Sequence, residues 1–274
     1  MIKNSIKQII ERVPYVAQLY RNCRDHLDRN HTSIQTPWGF KFSGNDSMAK
    51  GMFEPEETEI VRKLLSEVDV LVNIGANVGY YCCHALSLGK PVIAVEPIAR
   101  NLHYLMRNIR ENGWSENVQI FPVALSSKAS IMKMYGGGTG ASLIKGWAGI
   151  PDSYVTQVPV LTLDCILLGN TLLDGKKVLM LVDIEGAEYS MLQGAEHCLC
   201  LVPRPIWMVE IGSTTHQPDG VNMNPYLAPT FEMFFQKGYV ASTSNLAQDL
   251  VDSKYARDVA NGNAKFSTHN FLFR

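Results

Sequence analysis

The residues best placed to do chemistry lie just after apolar runs. The stretch NIGANVG at residues 73–79 follows such a run at 68–74 and puts Gly75 and Gly79 four residues apart. Gly75 lets the backbone turn tightly against a ligand where a side chain would clash. Gly79 allows close packing at the start of the next helix, whose first turn offers free N–H groups. Glu96 ends a second apolar run, 21 residues beyond Gly75, where a carboxylate can accept both hydroxyl protons of a ribose. Further along, VDIEGAE at 182–188 supplies Asp183, Glu185 and Glu188, the next strand ends in Glu210, and His216 follows in a loop. The first group predicts a nucleoside-containing ligand, and the second a set of acids beside it.

The spacing separates two nucleoside cofactors. A nicotinamide dinucleotide site uses G-x-G-x-x-G, with a middle glycine that makes room for a pyrophosphate. Here Asn77 stands near that middle position, and the glycines read G-x-x-x-G. That arrangement suits a nucleoside without a pyrophosphate, and S-adenosyl-L-methionine fits.

These residues need elements to hold them. Strands are expected at 68–74, 91–95, 118–123, 178–182, 206–211, 239–242 and 270–273. Helices are expected at 77–88 and 225–237, along a face marked by Ile98, Leu102, Leu105, Met106 and Ile109, and along one marked by Tyr189, Leu192, Ala195 and Leu199. The alternation implies an α/β, doubly wound parallel sheet, whose ligand lies beyond the carboxyl ends of the strands. Before it, residues 33–42 read as a short hairpin turning at 37–39, and Pro55 with Glu56 and Glu57 opens a helix to about residue 66, the acids suiting its dipole. The glycine-rich stretch 136–149 is no phosphate-binding loop, since Gly146 follows Lys145 where Ser or Thr is needed. It reads as a mobile loop or hairpin over the site. Residues 244–268 read as a solvated helix or loop.

In order along the chain, the stretch at 72–81, Glu96-Pro97, residues 124–126, the VLTLD at 160–164, VDIEGAE at 182–188 with LQGA at 192–195, and Val209-Glu210-Ile211 resemble the FkbM-type family of S-adenosylmethionine-dependent methyltransferases over roughly residues 50–240. The resemblance implies a seven-stranded Rossmann-like class I methyltransferase sheet and methyl transfer to a hydroxyl oxygen. It also implies that Asn73, Gly75, Asn77, Gly79 and Tyr80 lie along the cofactor, that Glu96 takes its ribose, that Ala124 and Leu125 border its adenine, and that Asp183 lies where sulfonium and acceptor meet. Two residues depart from the family: Asn73 stands where Asp is usual, and Leu181 where Lys is frequent.

An alcohol must lose a proton as the new bond forms, so a general base helps. Asp183, Glu185, Glu210 and His216 are the candidates, with Glu188 one helical turn on. Each has a plainer reading: Asp183 as a cofactor or cap contact, Glu185 as a helix cap, Glu188 as a structural acid, and His216 as a surface residue. Clustered carboxylates can also hold a divalent ion, but orientation of the acceptor accounts for them and no metal is expected.

The whole chain bounds these readings. It has 274 residues, 46% hydrophobic and 19% charged, with 25 Lys+Arg against 26 Asp+Glu and a net charge of −1. That balance argues against a nucleic-acid partner, and no apolar run is long enough to span a bilayer. The six cysteines read as free thiols of a reducing, cytoplasmic compartment. The first 13 residues lack the apolar core of a secretory signal and read as a helix with Ile2, Ile6, Ile9, Ile10 and Val13 on one face. With the basic excess of residues 1–31, it can cover the domain or a second subunit, or make a weak membrane-surface or partner contact. The expected division is a helical arm with hairpin over 1–49 and a methyltransferase domain over 50–274. The expected activity is O-methylation of a sugar or glycan hydroxyl. The alternatives are O-methylation of a polyketide or other small secondary metabolite, and a non-catalytic module that binds S-adenosylmethionine or another nucleoside.

Overall fold

A computed structural model describes residues 32–245 and 247–274. The helical arm expected over residues 1–31 lies outside the described residues, as does Cys23. The chain opens with a hairpin of β1 (Ile34–Gln35) and β2 (Lys41–Phe42), then α1 (Asp46–Ala49) and α2 (Pro55–Glu67). The central alternation is β3 (Val70–Ile74), α3 (Tyr80–Ser87), β4 (Val92–Val95), α4 (Ala99–Glu111) and β5 (Val118–Phe121). An insertion of β6 (Ala124–Leu125), β7 (Ser130–Tyr135), β8 (Val155–Leu161) and α5 (Leu163–Leu167) follows. The chain then returns through β9 (Val178–Val182), α6 (Glu188–Leu192), β10 (Ile206–Glu210), α7 (Leu227–Gln236), β11 (Ala241–Thr243), β12 (Leu250–Val251), α8 (Ser253–Ala260) and β13 (Asn270–Phe273).

The main sheet has the order β12-β11-β13-β10-β9-β3-β4-β5. From β5 to β10 all neighbours are parallel. The doubly wound α/β sheet is as expected, with eight strands where seven were expected and antiparallel pairing at its far end. There β13 runs antiparallel to β10 and β11, and the two-residue β12 adds an eighth strand. The chain steps outward from β3 through β4 to β5, then crosses back to β9 on the other side of β3. This reversal opens a crevice beyond the carboxyl ends of β3 and β9.

The central strands VLVNI and VLMLV are buried along their whole length, as strands covered on both faces must be. Val70, Val72, Ile74, Met180 and Val182 face one helical layer containing Phe231 and Phe234 of α7. Leu71, Leu179 and Leu181 face another, built from α2, α3 and α4. Leu181 is therefore a core residue packed under the helices.

Several local expectations change. On α4 the buried side includes Asn101, Tyr104 and Asn108, whereas Met106 is exposed. The polar burial has a cause: Asn108 Nδ2 donates to Ser43 O and Val78 O, and its Oδ1 accepts from Ser43 N at 2.9 Å, which clasps the end of the hairpin and the turn before α3 to α4. Phe40 and Phe42 of that hairpin are buried with Tyr80 and Cys83, so packing bridges the expected division at residues 49 and 50. The strand expected over 118–123 stops at Phe121, and Ala124 and Leu125 leave to pair with β8 in a separate three-stranded sheet. The helix expected from Tyr189 to Leu199 ends at Leu192, and the Asp164 carboxylate accepts from His197 N and Cys198 N to start a new turn. Residues 244–268 are not merely solvated, since α8 buries Ala256 and Val259 against the core.

Candidate active site

The turn after β3 begins at Gly75, whose φ is +85°. A Cβ there would fall 1.8 Å from the backbone oxygen of Asp183. Asp183 N in turn donates to Ile74 O at 3.0 Å, so the ends of β3 and β9 are clasped at the crevice. Asn77 also adopts a left-handed conformation and donates its backbone N–H to Glu96 Oε2 at 2.8 Å. Glu96 Oε1 accepts from Ile98 N at 2.8 Å and from Asn101 Nδ2 at 3.2 Å. Burial pushes the Glu96 carboxyl up to about 7 against these three bonds, which favour its charged form.

These residues border a cavity of about 300 Å³ that also takes in Asp183, Glu185, Glu210 and His216. Part of its wall is an apolar slot of Ile98, Ala124, Leu125, Met134 and Leu143. Most of that slot comes from the β6–β8 insertion and the glycine-rich stretch that follows β7.

Another part of the wall is acidic. Asp183 is exposed and lines the cavity. Desolvation, then the charges of Glu210, Glu185, Glu188 and Glu57, hold its carboxyl well above the ordinary value. Glu210 ends β10, and desolvation followed by Glu185 and Glu57 pushes it up to about 8. Glu54, at the left-handed N-cap of α2, reaches the same cavity. Behind it, Tyr81 OH donates to Glu57 Oε1 at 3.1 Å and Asn270 Nδ2 to Glu57 Oε2 at 2.6 Å. Burial raises Glu57 to about 7, with Glu54 adding to the rise. Among the described residues, no group of three or more His, Cys, Asp or Glu side chains is arranged to hold a metal ion.

The glycine-rich stretch lines the cavity through Gly138, Thr139, Ala141 and Leu143 and is fastened to the β9 loop. Ser142 Oγ donates to Glu185 O at 2.6 Å, and Trp147 Nε1 to Glu185 Oε2 at 2.7 Å. His216 O accepts from Ala148 N at 2.8 Å, and its Nδ1 lies 3.9 Å from Glu185 Oε2.

The structure thus brings together Gly75, Asn77, Glu96, Ala124, Asp183, Glu185, Glu210 and His216. It does not bring Asn73, Gly79 or Tyr80 to the cavity wall. Asn73 is buried under α3 with Nδ2 directed at Cys82 Sγ. Gly79 packs against Leu105, whose Cδ1 would lie 2.5 Å from an added Cβ. Tyr80 sits in the aromatic cluster of the hairpin, its hydroxyl 3.2 Å from Thr58 Oγ1. Glu188 is buried and accepts from Gly186 N at 3.0 Å, which closes the turn. Glu54, Glu57, Asn101 and Trp147 belong to the site or its support and carry no motif of their own. Their one sequence signal is polarity or bulk at positions flanking the motifs.

The family described as Methyltransferase FkbM domain matches residues 73–240, more than half of the chain. No curated protein matches. Among solved structures, the chain is similar to Methyltransferase FkbM from Methylobacillus flagellatus KT, at 14% identity and a TM-score of 0.44, covering 94% of this chain and 60% of that one. It thus spans about three fifths of that protein's length. It is also similar to Precorrin-6y C5,15-methyltransferase from Geobacter metallireducens GS-15 (14% identity, TM-score 0.37, 85% and 92% of the two chains). A third is cofactor-bound Rv0187 from MTB (12% identity, TM-score 0.42, 79% and 78%). Among the described residues, no helix is long and apolar enough to cross a membrane.

Proposed function

Since the chain belongs to the FkbM methyltransferase domain family, we propose that it moves a methyl group from S-adenosyl-L-methionine to a hydroxyl oxygen of a sugar or glycan. The family implies a cofactor of the S-adenosylmethionine type, and the residues present suit it. Glu96 offers a buried carboxylate to the ribose, and the Ile98–Met134–Leu143 slot offers an apolar berth to the adenine. When bound, the cofactor supplies an electrophilic methyl group on a sulfonium centre.

One observation carries the reading: Asp183, just after β9, and Glu210, at the end of β10, line the same cavity as Glu96, just after β4 on the other side of β3. In-line transfer needs the oxygen held on the axis of the breaking bond, and carboxylates on two adjacent parallel strands can hold hydroxyls by accepting their protons. Glu210, raised to about 8 by desolvation and then by neighbouring acids, has the affinity of a group that takes a proton near neutral pH. Glu185 serves differently. Its carboxylate is engaged by Trp147, so it holds the glycine-rich stretch in place. Carboxylates in this part of the wall disfavour an anionic acceptor and accept hydrogen bonds from a neutral polyol.

The test is transfer of a labelled methyl group from the cofactor to purified glycans, free sugars and polyketides. Label on a glycan hydroxyl, lost in Glu210→Gln, is the expected result. Label on the polyketide alone would replace the acceptor, and label on nitrogen or carbon would overturn O-methylation.

A further inference from the structure

Glu57 lies in the first turn of α2 and does not itself line the cavity. Both of its carboxylate oxygens are engaged. Tyr81 OH, from α3, donates to Oε1 at 3.1 Å, and Asn270 Nδ2 donates to Oε2 at 2.6 Å. Asn270 begins β13, where it is the register partner of Glu210 on β10. Directly opposed residues on antiparallel strands project from the same face, with Cβ atoms about 5 Å apart. That face is the one covered by α2, because Met208 and Leu272, two residues along each strand, pack in one layer with Leu64. The amide that bonds Glu57 therefore stands beside the Glu210 side chain. Among the described residues, nothing donates a hydrogen bond to the Glu210 carboxylate. The two acids are thus unequally served. Donors favour the charged form of a carboxyl group, and they go to Glu57. Burial raises Glu57 to about 7. Glu210 stands higher, at about 8, with desolvation first and Glu57 among the charges that lift it. As pH rises, Glu57 ionises first, and Glu210 gives up its proton against that charge.

We propose that Glu57 is a positioning residue for the base, its ionised carboxylate pinned by Tyr81 and Asn270 so that Glu210 draws the proton of the acceptor hydroxyl more strongly. The proposal rests on the reading of Glu210 given above. Other groups face Glu210: Glu54 on α2, Asp183, Glu185 and Glu188 after β9, and His216 after β10. Glu185 is bonded to Trp147 and lies 3.9 Å from His216 Nδ1. Glu188 closes its own turn on Gly186 N. Among these acids, Glu57 is the one whose carboxylate is bonded to the strand paired with Glu210. A base of higher proton affinity takes the hydroxyl proton more completely as the new bond forms.

Nuclear magnetic resonance of the full chain, labelled with carbon-13 at the glutamate carboxyls, tests the coupling without turnover. The Glu210 signal is identified by its loss in Glu210→Gln. In Glu57→Gln the Glu210 midpoint should fall by about half a pH unit or more. Asn270→Leu withdraws a donor, so Glu57 keeps its proton to higher pH, and the Glu210 midpoint should fall with Glu57 still in place. The double variant should move it no further than Glu57→Gln does. The rise of kcat with pH, measured on the glycan labelled in the transfer assay above, should move down with the midpoint in each variant. A purely structural role would lower stability and leave both midpoints where they are. A Glu210 midpoint unmoved or raised in Glu57→Gln overturns the proposal, and the same result in Asn270→Leu does so if Glu57→Gln does not fold. A midpoint that falls while the kcat profile stays also overturns it. If the wild type transfers label to no hydroxyl, the methyl-transfer reading fails and the role of Glu57 with it, whereas a failed titration removes Glu57 alone.

Discussion

Trp147 donates its indole N–H to Glu185 Oε2 at 2.7 Å, and this bond fastens the glycine-rich stretch to the loop after β9. The contact is close on both sides: a Cβ at Gly186, next to Glu185, would lie 2.5 Å from the Trp147 ring. Glu185 itself adopts φ +54°, an unfavourable conformation for a residue with a side chain, so the surrounding contacts must hold it. Trp147→Phe keeps a ring over Gly186 and deletes the donor. It should raise the Kd for S-adenosylhomocysteine about three- to tenfold, since a bond to a charged group is lost from the wall and not from the ligand. Calorimetry reads this directly. An unchanged Kd would show that the glycine-rich stretch does not shape the bound state.

Gly75 is the position where one methyl group meets the most resistance. The added carbon would lie 1.8 Å from Asp183 O, a backbone atom of the adjacent strand end, at a φ of +85°. Neither the strand nor the turn can give, because Asp183 N is bonded to Ile74 O across the same gap. Gly75→Ala should therefore cost on the order of 2–4 kcal/mol and lower the Tm by about 5–15 °C. It should also abolish binding of S-adenosylhomocysteine. A variant that melts within a degree or two of the wild type and still binds would show that the clasp between β3 and β9 is dispensable.

Much of this arrangement is legible before any coordinates are known, and the parts that are not share a cause. β3 and β9 are readable because strands covered on both faces must be apolar at every position. Gly75 and Glu96 are readable because a tight turn and a carboxylate, each closing an apolar run, are what a ribose at the strand ends demands. Asn108 and Met106 defeat the apolar periodicity of α4. A hydrogen-bonded clasp to Ser43 rewards a polar residue inside, which leaves a methionine outside. Glu57 is accounted for by the dipole of α2, so nothing local reveals that Asn270, far along the chain, bonds it beside Glu210. The slot formed by Met134 and Leu143 is hidden for the same reason. It depends on how the β6–β8 sheet sits over the crevice, which is a property of tertiary packing.

Glu96 should make cofactor affinity depend on pH. Burial raises its carboxyl to about 7, with the bonds from Ile98 N, Asn77 N and Asn101 opposing the rise. The ionised form is the better acceptor for ribose hydroxyls, so S-adenosylhomocysteine should bind more tightly as pH rises from 6 to 8, with a midpoint near 7. Glu96→Gln removes the titration and turns an amide N–H₂ towards backbone donors. Its Kd should be at least about tenfold weaker and flat across that range. A pH dependence that survives the substitution would assign the titration to another group.

Glu210 should show opposite signs in activity and stability. Its carboxyl is raised from 4.5 to about 8, by desolvation first and then by Glu185 and Glu57. The folded protein therefore holds the Glu210 proton more tightly than the unfolded chain does. Relative to a permanently neutral side chain, wild-type stability is unaffected below about pH 4.5, falls as pH rises from there, and reaches its full penalty above about 8. Glu210→Gln should thus melt with the wild type at pH 4.5 and above it at pH 9. Its turnover should fall at least about a hundredfold, because a base that accepts the acceptor's proton is gone. The rise of wild-type kcat through pH 8, which reports the coupled acids together, should vanish with it. Differential scanning calorimetry and pH–rate profiles on the same two proteins decide the matter. A variant that is less stable at pH 9, or that keeps the wild-type rate profile, would remove Glu210 from the role of base.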